Sequence, residues 1–482
     1  MKLLITSFFT ITLFFVFSQS MSNTTPIKVA DGVGSYHPQI EITNDGQPAV
    51  IWTDDATYNL YFAKHNGTDG FLAPVKLNPD GMDVQSFNWS GPDLYIDGDN
   101  IYITFKEDGY TTGHIYLVKS ADNGLTWGDT VRVDQLATGY GNYPDVAVFN
   151  DTVWVTFMDH DAGGANPQYV VARSIDGGAT FEPEVAAGSL WTGEACDCCQ
   201  PEIIADDQRL IVFFRNNNSN IRDIKAVVST DRGASFSDFY SVDDHNWNIA
   251  GCPSTGPDAR FMNGDKTLTA YRTSVAGEGK VFINEYNLQT NTSDDLIEIT
   301  TSGGTSSLAN YPQIDYKNGV IGIVWEDAGN SVDVFANFSS NGAAGLDPQN
   351  AFNVTNASGA QNKPDIAIGD NVFHMVYTDV NSGDVYYTQL RALAALNEQV
   401  VELQTLVYPQ PAADYVIISF DNPEDKILQL KIYDINGKQI ETNSIIYKSS
   451  QLTIPTSSLS HGVYHFELQV GDVISFGKFV VQ

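Results

Sequence analysis

Two observations predict an all-β chain, a seven-bladed β-propeller followed by a small C-terminal β-sandwich. First, a proline followed by apolar alternation recurs at Pro38, Pro92, Pro144, Pro201, Pro257, Pro312 and Pro364, always 52 to 57 residues apart. Each repeat holds about four strands separated by turn residues, which is the content of one propeller blade. Second, the last stretch alternates apolar and polar residues around the turns Asn436-Gly437 and Gly471-Asp472, as a small antiparallel sandwich does.

Taken in chain order, the first element is an address. Lys2 precedes an apolar run from Leu3 to Phe17 and then small polar residues, so residues 1–20 read as a secretory signal peptide. No later segment reaches eighteen apolar residues, so no transmembrane segment is expected in the mature protein. The propeller is expected over residues 25–395, with a linker at 396–405 and the terminal domain at 406–482. Each blade opens with a hairpin, as in YHPQIEI…AVIWTDD, NYPDVAV…VWVTFMDHD or CQPEIIA…LIVFFRN. A third strand such as NLYFAK, HIYLVKS or QYVVARS follows most of these hairpins.

Composition excludes some partners. The chain carries 25 Lys+Arg against 59 Asp+Glu, a formal net charge of −34 over 482 residues. Such a field repels phosphate, so no nucleic acid is expected as a partner. Hydrophobic residues at 42% provide for a sizeable core, and the acid excess reads as a solvated surface.

Three blades carry S-x-D-x-G-x-[TS]-[WF] after the third strand, at Ser120–Trp127, Ser174–Phe181 and Ser229–Phe236. Asp122, Asp176 and Asp231 are placed to cap turn amides, and Gly124, Gly178 and Gly233 to take positive φ. These motifs resemble the Asp-box (BNR repeat) of sialidases and related propellers. The family's usual six blades and its Arg-Ile-Pro motif are not matched, which counts against sialic acid hydrolysis.

Strand direction decides which residues meet. Segments before each repeat proline and those ending each second strand share one rim, with the Asp-box turns on the other. The first rim then collects His37, Tyr143, Gln200 and Tyr311, with Asp54, Lys106, Glu107, Asp159, His160, Arg215, Arg272, Glu326 and Asp379. Arg215 and Arg272 end equivalent strands of adjacent blades, and two guanidiniums there are suited to gripping a carboxylate or sulfate, with Lys106 as a third cation. His160 beside Asp159, with Tyr143 on the same blade, offers acid/base chemistry. Asp159, Glu107 and Glu326 offer paired carboxylates for glycoside hydrolysis.

Four cysteines complete this rim. Cys196, Cys198 and Cys199 precede the fourth inner strand and Cys252 the fifth, so adjacent blades bring the four sulfurs together. Either they hold a soft metal ion, zinc or copper, with His245 as a substitute ligand, or they form two disulfides.

Two further resemblances set expectations. The last 77 residues resemble the sorting domain of the Bacteroidetes type-nine secretion system, through Tyr408-Pro409, Pro411-Ala412, Asp434 with Gly437, Leu459 with Gly462 and Tyr464, and Lys478. Gln410 departs from the family's usual asparagine. The resemblance implies passage through type-nine secretion machinery to the cell surface or medium. The block from CDCCQP through FFRNNNSNIRDI to WNIAGCPSTGP resembles secreted bacterial Asp-box propellers labelled sialidase-like. Seven-bladed ulvan lyases are an analogy of fold only. The expected function is action on, or binding of, an acidic glycan: sialylated, uronic or sulfated. The alternatives are a non-catalytic glycan- or protein-binding surface propeller, a metal-binding propeller, and a polysaccharide lyase.

Overall fold

A computed structural model describes residues 20–31, 36–87, 89–136, 138–300, 309–328, 331–369, 372–393, 405–420, 428–434, 438–440, 450–470 and 473–482. Residues 1–19 of the expected leader, the linker up to residue 404, and the turns Asn436-Gly437 and Gly471-Asp472 lie outside them. The described residues hold strands and three short 3₁₀ turns, with no α-helix and so no helix long and apolar enough to cross a membrane.

The chain divides into two units, residues 1–395 and 396–482. In the first, seven antiparallel sheets of four or five strands follow one another in chain order. Their inner strands are Tyr36–Ile42, Asp93–Asp97, Tyr140–Phe149, Glu202–Ala205, Asp258–Met262, Asn310–Lys317 and Gln361–Ile368. Each inner strand packs on the next, and the seventh packs on the first, which closes a ring around an axis. The N-terminal strands Ser20–Asn23 and Ile27–Ala30 complete the seventh sheet by pairing with Asp384–Leu393. One sheet thus joins both ends of the unit, leaving no open seam at that junction.

Second strands are covered by neighbouring blades on both faces, so they read as unbroken apolar runs rather than as alternation. Every residue of Pro48–Asp54 is buried, and Thr152–His160 is buried throughout except Asp159. Large rings fill the wedge between blades: Trp154 and Phe214 share one cluster, and Trp325 packs with Ile314 and Leu268 in another. Burying each such side chain contributes roughly 1.5–3 kcal/mol.

The Asp-box turns are built alike. Ser120 Oγ donates to Asp122 Oδ1 at 2.8 Å, and the Gly124 and Thr126 amides donate to Ser120 Oγ and Asp122 Oδ1 at 2.9 and 2.8 Å. The boxes of Asp176 and Asp231 repeat this set. Each box also docks on the preceding blade. Lys64 Nζ donates to the Asn123 carbonyl at 3.1 Å, Lys119 Nζ to Gly177 at 3.2 Å, and Arg173 Nη1 to Arg232 at 3.1 Å.

In the second unit, strands Leu406–Tyr408, Tyr415–Ser419 and Gln451–Pro455 form one sheet. Gln439–Ile440, Leu428–Tyr433, Gly462–Val470 and Val473–Val481 form another. Val416, Ile418, Ile432, Phe466, Leu468 and Phe479 make its core.

Candidate functional site

The axis is lined by the residues that follow the repeat prolines. In all seven blades that residue is acidic or a glutamine: Gln39, Asp93, Asp145, Glu202, Asp258, Gln313 and Asp365. The carboxylates clasp one blade to the next. The Val146 amide donates to Asp93 Oδ2 at 3.0 Å, Ile203 to Asp145 at 2.6 Å, Ile314 to Asp258 at 2.6 Å and Ile40 to Asp365 at 2.7 Å. Asp315 does the same for Ile368 at 2.6 Å. Arg260 is the cation among the residues lining this channel, with Nη1 3.1 Å from Glu202 and 2.6 Å from Asp258.

Burial and crowding by like charges push these acids up. Asp365 rises to about 7 through burial, and Glu41 to about 8 through burial and then Asp315. Asp145 is pushed well above the carboxylate range by burial and by Asp93. The channel therefore holds protons on some of its acids near neutrality.

The mouth of the axis is a ring of bulges. Two residues face one across the hairpin at 37–38, 143–144, 311–312 and 363–364. In each bulge a non-glycine residue takes positive φ before proline: His37 at 46°, Tyr143 at 57°, Tyr311 at 46° and Lys363 at 51°. Bulges re-aim side chains, and strained backbone of this kind clusters at functional sites. Gly91 and Gly256 hold the equivalent place in blades two and five. A Cβ on Gly91 would lie 2.7 Å from His37 Cβ, and one on Gly256 would lie 2.2 Å from the Gln200 carbonyl.

The mouth is lined by His37, Gln39, Trp89, Gln200, Tyr311 and Lys363, and its cavity measures about 70 Å³ among the described residues. Lys363 Nζ lies over the Tyr311 ring at 3.4 Å and pairs with Glu326 at 3.1 Å. Gln39 Oε1 and Gln200 Oε1 are buried without a hydrogen-bond partner among the described residues, and the Trp89 indole lies beside them facing the Tyr143 hydroxyl.

In blade four the bulge is enlarged. Ala195 faces Asn216 and Glu202 faces Phe213, so the six residues 196–201 stand opposite two. This excursion carries three cysteines. A tight turn, with the Cys198 and Cys199 amides donating to the Cys196 carbonyl at 2.7 and 3.1 Å, folds their side chains together. The Sγ atoms of Cys196, Cys198 and Cys199 lie 3.4–3.9 Å apart. Cys252 reaches them from blade five and is disulfide-bonded to Cys198, with Cα atoms 6.2 Å apart. Cys196 and Cys199 are buried thiols.

Arginines surround this loop, and here the structure revises the expected roles. Arg215 is wholly buried, and its Nε, Nη1 and Nη2 donate to the carbonyls of Thr255, Arg222 and Arg272 at 3.1, 2.7 and 2.8 Å. Its guanidinium ties three segments together. Arg272 is half-buried and donates from Nε to Ala309 at 2.8 Å. Trp247 lies between the two, 5.2 Å from Arg215 Cζ and 5.1 Å from Arg272 Cζ. Arg222 Nη1 donates to Cys196 Sγ at 2.9 Å.

Of the other expected site residues, Lys106 and His160 meet on one ring. Lys106 is buried, donates to the Gly109 carbonyl at 3.0 Å and is pushed down to about 8 by burial. Its ammonium lies over Tyr140, and His160 stacks on that same ring at 4.6 Å. Burial lowers His160 to about 4, so it stays neutral, while burial and then Glu184 raise its neighbour Asp159 to about 6. Tyr143 is buried and its hydroxyl is pushed up by burial, so it stays protonated. No contact joins Tyr143 to Asp159 or His160 among the described hydrogen bonds and ring pairs. His245 is held by Asp243 at 2.6 Å, which raises its pKa, and it lies outside the cluster of sulfurs among the described residues.

The structure forms one of the two expected bridges, Cys252 with a member of the cluster, and this weakens the four-thiolate metal centre. One disulfide uses Cys198 and Cys252, which removes two of the four thiolates a zinc or copper site needs. Three sulfurs do converge closely enough to touch one ion, so the neighbourhood expected from blade spacing is present even though its bonding differs.

Sequence reasoning missed Lys363, Trp89 and the acidic ring. The ring had a signal, since a carboxyl or amide follows every repeat proline.

Residues 406–482 match the secretion system C-terminal sorting domain family. The chain is accordingly exported through type-nine secretion machinery to the cell surface or beyond. Among solved structures, a Dyadobacter fermentans protein of unknown function is similar at 12% identity, over 77% of this chain and 99% of that one, with a TM-score of 0.48. An α-L-arabinofuranosidase from Fusarium graminearum is 15% identical over 64% and 94% of the two chains, with a TM-score of 0.44. Trypanosoma rangeli sialidase is 12% identical over 95% and 89%, with a TM-score of 0.45. No curated protein matches the chain.

Proposed function

We propose that this exported propeller is a glycan-binding surface protein whose axial mouth receives the sugar. One observation carries the reading: Gln39 Oε1 and Gln200 Oε1 border the same mouth, beside the Trp89 indole, with no hydrogen-bond partner among the described residues. Buried polar atoms are costly when unpaired, and two acceptors beside an indole suit sugar hydroxyls above an aromatic platform. The cavity of about 70 Å³ favours binding over turnover. Enclosed ligand pockets usually run to about 300–1,000 Å³, whereas this cavity takes only a hydroxymethyl group or a few waters.

The narrower reading, an acidic glycan, rests on Lys363 and Arg272 near Tyr311. The channel acids below oppose an anion once they ionise, so affinity for sialylated, uronic or sulfated sugars should fall as pH rises through the Asp365 pKa of about 7. Glycosidase or lyase chemistry is the second reading. Asp159, raised to about 6, stands in the range of a general acid.

Glycan-array binding of the secreted chain tests the first reading. Trp89→Ala combined with Gln200→Ala should weaken binding at least tenfold while the melting temperature stays within a few degrees. Reducing ends, unsaturated products or free sialic acid released from a polysaccharide panel, and lost in Asp159→Asn, would replace binding by catalysis.

A further inference from the structure

The enlarged bulge of blade four places a buried dithiol against a disulfide, and the glycan reading makes no use of either. Cys196 Sγ lies 3.4 Å from Cys199 Sγ and 3.8 Å from Cys198 Sγ, while Cys198 is bonded to the exposed Cys252. We infer that the four cysteines form a thiol–disulfide relay, in which the buried Cys196/Cys199 dithiol exchanges with the Cys198–Cys252 disulfide and delivers its reducing pair to the surface at Cys252, toward an external disulfide.

The chemistry of the loop assigns the roles. Arg222 Nη1 donates to Cys196 Sγ at 2.9 Å, which places positive charge against this sulfur as an attacking thiolate requires. Cys199 is wholly buried 3.4 Å from it and receives no such cation contact among the described hydrogen bonds, as suits a resolving thiol. Cys196 and Cys199 have no exposed surface. The nucleophile therefore cannot meet a solvent partner directly, and the disulfide beside it is the group within reach.

In the first step the Cys196 thiolate attacks Cys198 Sγ. A Cys196–Cys198 bond forms, the Cys198–Cys252 bond breaks, and its electron pair leaves with Cys252, which takes a proton from water. In the second, Cys199 loses its proton to water and attacks Cys196 Sγ. The Cys196–Cys199 bond forms and Cys198 leaves as a thiolate. The product is an isomer with the same number of electrons, now carrying its dithiol at Cys198 and Cys252. An external disulfide R–S–S–R then accepts that pair, giving two R–SH and restoring Cys198–Cys252.

The secreted full-length chain tests this without added reductant. Timed maleimide labelling at pH 8, followed by peptide mass spectrometry, should find Cys252 labelled and Cys196–Cys199 bonded in the same molecules. An aryl disulfide reagent should release two aryl thiolates per chain and leave both bridges formed. Cys196→Ser should cut Cys252 labelling at least tenfold, and Cys199→Ser should stop at Cys196–Cys198 with Cys252 labelled. The wild-type mapping stands alone if a variant fails to fold. Three results overturn the relay: Cys252 never labelled while Cys196 and Cys199 remain thiols, both bridges already formed in the isolated protein, or a stoichiometric zinc or copper ion retained by the sulfurs.

Discussion

Asp122, Asp176 and Asp231 end third strands on one rim of the propeller, while Asp145, Asp258 and Asp365 follow the repeat prolines on the axis. The same side chain titrates in opposite directions in the two places. On the rim, hydroxyl donors, first Thr126, Thr180 and Ser235, hold the three carboxyls down to about 2. On the axis, burial raises all three, and like charges add to the rise at Asp145 and Asp365. Both sets hold backbone amides. The difference is that a rim aspartate is surrounded by its own turn and by water, whereas an axial one shares a closed channel with the acids of other blades. The ring geometry that brings seven strands together is also what concentrates their charge.

Arg260 is the most direct way to break this contrast. It pairs with Asp258 and Glu202 and approaches Asp315 at 3.8 Å. Removing one partner from a buried ionic network costs about 3–5 kcal/mol, because the remaining charges are left uncompensated. Arg260→Met should lose about that much stability at pH 8 by thermal or denaturant unfolding. The loss should shrink as pH falls, since burial raises all three acids and favours their neutral forms. A loss independent of pH would mean that Arg260 acts by packing alone.

Asp365→Asn sharpens the same point. The folded pKa of about 7 lies above the unfolded value, so the folded state binds the proton more readily. Its contribution is full below about pH 4 and disappears as pH rises through 7, on the order of a few kcal/mol in all. The wild-type melting temperature should therefore fall between pH 5 and 8. Asparagine carries no such charge and should flatten that slope. An equally steep slope in the variant would place the titration elsewhere.

What was legible in the sequence follows the same division. The Asp-box bonds join residues two to four apart, so eight letters contain the whole device. The axial clasp joins Asp145 to Ile203, 58 residues away, and only the repeat period hints at it. Blade order brought Cys196, Cys198, Cys199 and Cys252 together correctly, but four cysteines allow three pairings and spacing does not choose among them. Arg215 misled because a strand-end arginine reads the same whether water or carbonyl oxygens await it. Its three acceptors come from Thr255, Arg222 and Arg272, which no local pattern connects to it.

Gly233→Ala probes the rim where it docks on the preceding blade. Gly233 has φ +82°, and an added Cβ would lie 3.0 Å from Leu210 Cδ2 and 3.1 Å from Trp154 Nε1. Both the backbone and the neighbours resist, so a loss of about 1–3 kcal/mol is expected. Gly264 has φ +83° but nothing within 4 Å of its Cβ position, so Gly264→Ala reports the backbone cost alone. Equal losses in the two variants would show that blade docking adds nothing at the box.

The smallest effect belongs to the rim aspartates themselves. Asp122 accepts from Thr126 N at 2.8 Å and from the Ser120 hydroxyl at 2.8 Å, and is partly exposed to solvent. Its folded pKa is below the unfolded value, so its contribution is present above about pH 4 and is lost as pH falls through about 2. Asp122→Asn keeps one acceptor for the amide and gives up the charge. It should lower the melting temperature slightly at pH 7 and leave it unchanged at pH 2, the reverse of the Asp365→Asn pattern. Two asparagine variants with opposite pH signatures would establish that the propeller uses one residue type in two electrostatic regimes. If both followed the same slope, the axial acids would be as well solvated as the rim, and the closed channel would contribute nothing to their titration.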